Sequence, residues 1–174
     1  MGRSRRPKVQ STSSKRPSSI IIGAAGEHYV LYRLLRLNLR AGLPPAGTPE
    51  VDLLIVDERA SVITSLQVKT RTKGPDGGWH MRDKHERIIG PRLLYVFLDF
   101  EPGEPVTYVI PSSVVANYVK TEHEVWLATP GLRGQPHNDN AGRRLLPRHK
   151  YLIPGFPDGW MDQYRERWDL LGAT

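Results

Sequence analysis

The sequence predicts a single small α/β domain, a mixed central sheet flanked by helices. Three observations carry that reading. An amphipathic stretch opens the ordered part of the chain, several short apolar and β-branched runs follow, and longer helical segments return toward its end. With 174 residues and no internal repeat, one core of useful size is expected. The expected organisation is a disordered basic tail over 1–18 and one domain over 19–174.

The elements follow in order. Residues 1–18 are rich in Ser, Arg, Lys and Pro, a composition too polar to bury a core. From Ser19 to about Arg40 the spacing is helical. At 100° per residue Ala24, Glu27, Val30, Leu31 and Leu34 share one side, and Arg33, Arg36 and Arg40 the other. Gly42 to Gly47 ends that helix. Val51–Val56 is an apolar run, and Ser61–Lys69 is a second one rich in β-branched residues. The polar Asp57–Ala60 between them predicts a hairpin. Lys73–Gly78 is a break. Trp79–Met81 predicts a short strand and Asp83–Ile89 a short helix. Leu93–Leu98 and Val106–Ile110 are further strands. Ser112 and Ser113 start a helix expected to run from Val114 to about Lys120. Thr129–Gly159 is rich in Gly, Pro and basic residues and reads as loop; Met161–Leu171 predicts a terminal helix.

Composition narrows the function classes. No apolar run approaches the ~20 residues of a membrane span, and Ile20–Ile22 is too short for a secretory signal. The chain has no cysteine, which excludes disulfides, a thiolate zinc site and a cysteine nucleophile. A cytoplasmic location is the expectation. The net charge is +7, and residues 1–18 hold Arg3, Arg5, Arg6, Lys8, Lys15 and Arg16 without an acid. Removing those six from 25 basic residues leaves 19 against 18 acidic ones. The excess therefore sits in the tail, which serves either as an arm for phosphate backbones or as a solvated leader. No phosphate-binding Gly-rich loop and no nucleophile elbow are present.

The chemistry concentrates in Asp52 and in Gln67-Val68-Lys69. Side chains two apart on a strand share a face, so Gln67 and Lys69 point one way and Leu66 and Val68 the other. An Asp on the neighbouring strand meets both. A carboxylate, an amide oxygen and an ammonium around one point can hold Mg²⁺ and a water beside a phosphate. Glu27 lies on the apolar side of the first helix, where an unpaired carboxylate is costly. Asp52 is equally out of place in an apolar strand unless it caps a turn. Glu50 shares the face of Asp52 if the strand starts that early, as a substitute or extra ligand; it reads otherwise as a solvated loop residue.

These residues resemble the PD-(D/E)xK nuclease superfamily in its Gln-x-Lys variant, with Gly26-Glu27 in the place of the first-helix acid. Further segments are similar to a group of uncharacterised bacterial members: Thr48-Pro49, Val51–Leu54, Gln67–Thr70, Trp126–Pro130, Gly134–His137 and Arg167–Leu171. The resemblance implies a restriction-endonuclease-like fold with an αβββαβ-type core. It implies metal-dependent hydrolysis of phosphodiester bonds in nucleic acid, with DNA the expected substrate and Mg²⁺ or Mn²⁺ the cofactor. Asp52, Gln67, the Val68 carbonyl and Glu27 would hold the metal, and Lys69 would contact the scissile phosphate. Lys69, Arg71, Lys73, Arg143 and Arg144 are the expected nucleic-acid contacts, and a homodimer is one way to cut two strands. A neutral Gln where an acid is commoner leaves two alternatives open: an inactive nucleic-acid-binding module, or an accessory subunit of a restriction or defence complex. The six histidines have no metal-ligand spacing and read as surface or structural residues; His137 matches the uncharacterised group without an assigned role. The tryptophans read as core, with Trp79 a possible base-stacking exception.

Overall fold

Helix α1 (Ser19–Arg36) begins where the Ser18 hydroxyl accepts the Ile21 N–H at 3.4 Å, the usual way an N-terminal turn satisfies a free donor. The computed structural model describes residues 17–72, 77–100, 103–149 and 151–172. Residues 1–16 of the basic tail, Lys73 and Lys150 therefore lie outside the described residues.

The helix stops four residues short of the expected Arg40. Asn38 takes a left-handed conformation with φ 63°, which Asn tolerates better than most residues. The chain reverses there into a strand absent from the sequence reading, β1 (Arg40–Gly42), which pairs antiparallel with β2 (Leu53–Val56). The predicted hairpin is present: β2 pairs antiparallel with β3 (Val62–Arg71). Asp57 closes the turn by accepting the N–H groups of Arg59 and Ser61, both at 2.9 Å, an Asx-type turn.

Beyond β3 come β4 (Trp79–Arg82), a 3₁₀ turn over Asp83–Glu86, β5 (Leu93–Asp99) and β6 (Val106–Pro111). β5 lies parallel to β3, with Gln67 beside Tyr95 and Lys69 beside Phe97, and β6 returns antiparallel to β5. The main sheet is thus mixed, in the order β1-β2-β3-β5-β6. Helix α2 (Ser112–Ala128) is eight residues longer at its end than expected, and β7 (Gly142–Leu145) emerges from the loop-rich stretch to pair with β4 in a second, two-stranded sheet.

Both faces of the inner strand β5 are covered, as expected of a parallel pair in an α/β layer structure. Leu94, Val96 and Leu98 join Val30, Leu34, Leu53, Leu66 and Val68 in the core under α1. Tyr95 and Phe97 join Trp79, Ile110, Tyr118 and Trp160 in the core under α2 and the small sheet. Trp79 is 2% exposed and belongs to that core, so it offers no stacking platform. The buried side of α1 is Gly26, Val30 and Leu34, with Ala24 exposed.

The predicted terminal helix is replaced by two 3₁₀ turns, Trp160–Tyr164 and Trp168–Leu171. Glu166 between them has φ 54°. Its carboxylate accepts the Thr107 N–H at 3.1 Å, the Arg33 guanidinium at 2.6 Å and the Trp168 indole N–H at 2.9 Å. These tertiary bonds pull the chain out of the helix that its periodicity favours. No helix is long and apolar enough to cross a membrane among the described residues.

Candidate functional site

Asp52 stands one residue before β2, where that strand leaves β3. Its N–H donates to the Leu66 carbonyl at 2.8 Å. Its carboxylate Oδ2 accepts the Val68 N–H at 2.7 Å, taking the place of the absent strand neighbour. In an extended residue the N–H and C=O leave on the same side, so the Val68 carbonyl faces the gap that Asp52 occupies.

Gln67 and Lys69 lie on the opposite face of β3 from Leu66 and Val68, as their spacing requires. Gln67 is 4% exposed. Its Nε2 donates to Glu50 Oε2 at 2.9 Å, and Glu50 Oε1 accepts from Lys84 Nζ at 2.5 Å. A carboxylate only accepts, so this bond fixes which end of the amide is nitrogen. The Oε1 left over is buried and receives no hydrogen bond. Glu50 adopts φ 58°, an unusual conformation for a residue with a side chain. That conformation aims its carboxylate at the cluster without a strand to carry it, so Glu50 is a member of the site rather than a solvated loop residue.

Glu27 enters from α1, and Gly26 lets it. A Cβ on Gly26 would sit 1.8 Å from Thr70 Oγ1, so only glycine allows the helix to lie this close to β3. Glu27 is half-buried and within electrostatic reach of Asp52 and Lys69.

The charges strain against each other. Burial pushes Asp52 above the usual carboxylate range, opposed by the Val68 N–H and the Lys69 ammonium. Burial and then the charge of Asp52 raise Glu27. Burial lowers Lys69, opposed by Asp52 and Glu50. For Glu50, burial would raise the pKa, but the bonds from Lys84 and Gln67 outweigh it and hold the carboxylate low. His85, 2% exposed and bonded through Nδ1 to the Tyr95 hydroxyl at 2.9 Å, is pushed down to about 4 by burial and by Lys69. It is neutral at ordinary pH and fills the wall beside Lys69.

The donor set tests whether a divalent cation fits. Among the described residues no three His, Asp or Glu side chains converge as a metal-holding group. The set is two carboxylates, one amide oxygen and one backbone carbonyl, all oxygen donors suited to a hard cation. The orphaned Gln67 Oε1 is the feature that protein contacts leave unexplained, because a buried amide oxygen without a partner costs about 1–3 kcal/mol.

The expected nucleic-acid contacts fare differently. Arg71 lies with its guanidinium 4.0 Å from the Trp79 ring centroid and pairs with Asp99. Arg143 is 8% exposed and pairs with Glu86. Both are held by internal acids. Arg144 is half-buried on β7, remote in sequence from the hairpin. Lys84 and His85 carried no sequence signal for this cluster: both lie on a short turn brought in by tertiary packing.

No protein-family model and no curated protein matches the sequence. Among solved structures the fold is similar to that of a bacterial homing endonuclease (I-Ssp6803I), at a TM-score of 0.50 and 17% identity. The match covers 89% of this chain and 92% of that one. At that identity the likeness speaks for the fold, so the mixed sheet and its flanking helices form a nuclease-like α/β architecture.

Proposed function

We propose that the chain is a metal-dependent nuclease of PD-(D/E)xK type, in the Gln-x-Lys variant, cleaving phosphodiester bonds of nucleic acid, with DNA as the favoured substrate. The observation that carries the proposal is the Gln67 amide. Its nitrogen is anchored on Glu50, and its buried oxygen lacks a partner beside the desolvated Asp52.

Asp52, Gln67 Oε1, the Val68 carbonyl and Glu27 would hold Mg²⁺ or Mn²⁺. A divalent cation bound there acidifies water and offsets the charge that grows on the phosphate. The protein's own groups do the rest. Asp52 and Glu27 concentrate negative charge that attracts the cation. Glu50 keeps the Gln67 nitrogen turned away. Lys69 donates to a non-bridging phosphate oxygen, and its burial strengthens that interaction over what water would allow. Lys73, together with the basic tail, adds sequence-independent attraction to the backbone.

The test is cleavage of supercoiled, linear, single-stranded and branched DNA and of structured RNA with Mg²⁺ or Mn²⁺, beside calorimetric titration of the metal alone. Loss of cleavage in both Asp52→Ala and Lys69→Ala, with loss of metal binding only in Asp52→Ala, is the expected pattern. A second reading, an inactive nucleic-acid-binding module, draws on the shortage of converging acids. It requires binding that survives Lys69→Ala and no cleavage with any metal.

A further inference from the structure

A cavity of about 300 Å³ between α2 and the β4–β7 sheet lies outside the cluster just described. Met81, Glu122, His123, Trp126, Arg143 and Arg144 line it. Glu122 is 6% exposed, and among the described residues no hydrogen bond or ion pair reaches its carboxyl. Glu122 lines the cavity, so a donor seated there would pair its carboxyl. The rim is a rigid aromatic stack: Trp126 lies between His123, centroids 5.4 Å apart, and His137, centroids 4.1 Å apart. His123 is pinned in turn by Asp139 at 2.8 Å. This stack gives a place to the Trp126 and His137 segments, which the hairpin site does not use.

The chemistry of the walls selects the ligand. Arg143 and Arg144 disfavour a cation, and Glu122 disfavours an anion. A neutral ring with N–H donors next to an acceptor suits both. Guanine presents N1–H and N2–H beside O6, whereas adenine and cytosine offer one amine and uracil one imide N–H. The volume sits at the small end of the ~300–1,000 Å³ of ligand sites, enough for a base but small for a whole cofactor.

We propose that this cavity receives one unpaired guanine of the nucleic acid, with Glu122 accepting N1–H and N2–H and O6 turned toward the arginine side. The inference rests on the proposed action on nucleic acid, and it names the base that the substrate would carry. Burial holds Glu122 at about 7 against the opposing charges of Arg144 and Arg143; a part-ionised carboxyl is well matched to N–H donors. The 3₁₀ turn over Asp83–Glu86 links the two places. Its Lys84 bonds Glu50, and its Glu86 pairs with Arg143 in the cavity wall. A base seated in the cavity would therefore be held in fixed register with the Gln67–Lys69 cluster.

The test uses nucleosides, so that it does not depend on cleavage. The full chain is titrated with guanosine, adenosine, cytidine and uridine by calorimetry, with the Trp126 indole signal followed by NMR. Saturable guanosine binding, at least tenfold tighter than the other three and shifting the Trp126 indole, is the expected result. Glu122→Gln replaces one acceptor oxygen by a donor and should weaken guanosine by roughly tenfold or more. Equal affinity for all four, no saturable binding, or a folded Glu122→Gln with unchanged guanosine affinity overturns the proposal. Wild-type selectivity and the indole shift decide it even where Glu122→Gln does not fold. Selective guanosine binding by a chain that cuts no nucleic acid would overturn the nuclease reading alone.

Discussion

Replacing Gly26 with Ala tests how α1 delivers Glu27. The added Cβ would lie 1.8 Å from Thr70 Oγ1, 2.9 Å from its Cβ and 3.0 Å from its Cγ2. Ordinary carbon contacts begin near 3.5 Å, so the helix must back away by roughly 1.5 Å or Thr70 must be driven off its rotamer. Overpacking of this kind costs about 1–3 kcal/mol. Against it, Ala in a helix is better than Gly by about 1 kcal/mol. With the clash at the upper end of its range, the net loss is about 1–2 kcal/mol, which lowers Tm by roughly 2–8 °C for a domain of this size. Thr70→Ala removes the two methyl- and hydroxyl-bearing branches but leaves the 2.9 Å contact, so the double variant should recover part of the loss. A double-mutant cycle in urea would read that coupling as about 1 kcal/mol. The same retreat withdraws Glu27 from Asp52, so metal affinity should fall in Gly26→Ala although no donor has been changed. A Gly26→Ala protein that gains about 1 kcal/mol, as helix propensity alone demands, would refute the close packing and the route it gives Glu27.

Other outcomes follow from the same geometry. Glu50→Gln can no longer dictate the amide orientation of Gln67, so calorimetry should show weaker Mn²⁺ binding while Asp52 is untouched; unchanged affinity would remove Glu50 from the site. Lys69→Met should lower cleavage by about 10²–10³-fold, the scale of losing one charge-stabilising donor, with its unfolding midpoint held or raised because a desolvated ammonium has gone. Asp52→Asn keeps an acceptor for the Val68 N–H and removes a disfavoured charge, so it should melt no lower than wild type at pH 7 while losing metal binding. The pH dependence of stability should contain two opposed contributions. Glu122 moves from 4.5 unfolded to about 7 folded, so the folded state holds the extra proton, and stability falls by about 3 kcal/mol as pH rises through that window. His85 moves from 6.5 to about 4, so the unfolded state holds the extra proton, and stability rises by a similar amount from about pH 4 to 6.5. They cancel over most of the range; Glu122→Gln should unmask a rise with pH in chemical denaturation, and a flat profile in that variant would sink the pairing.

The candidate site residues stand out in the sequence more plainly than several elements of the fold around them. Asp52, Gln67 and Lys69 stand out because charge and amide interrupt apolar strands at a spacing of two, and that period survives any tertiary context. The strands Leu93–Leu98 and Val106–Ile110 are legible for the same reason, being apolar runs bounded by turn residues. What escapes is set by long-range contacts. β7 is a strand because Gly142–Leu145 meets β4 some sixty residues earlier in the chain. The end of α1 is decided at Asn38, where apolar Leu37 and Leu39 continue the helical pattern. The last segment loses its helix to the bonds that Glu166 makes with Thr107, Arg33 and Trp168. Lys84 is invisible for a related reason: a 3₁₀ turn has no period, and only the fold brings it, with the left-handed Glu50, to Gln67.

The energetics of the cluster bear on why such an arrangement persists. Two carboxylates raised by burial, one ammonium lowered by it, an amide oxygen without a donor and a left-handed Glu50 each oppose folding. A purely structural ion-pair network would settle into short paired contacts, as Arg71 with Asp99 and Arg143 with Glu86 do elsewhere in this chain. Here Asp52 instead bonds a backbone N–H, and Glu27 is held beside it by a glycine whose replacement would release the repulsion. Local rules broken together at one place, on an otherwise consistent framework, are what the proposed metal and phosphate site would require. A divalent cation would offset the two raised carboxylates and give the Gln67 oxygen a partner, and a phosphate oxygen would pair the depressed Lys69; the left-handed Glu50 would keep its strain. The stability that Asp52→Asn and Lys69→Met are expected to keep or gain is therefore a direct measure of how far the folded chain is held ready for both.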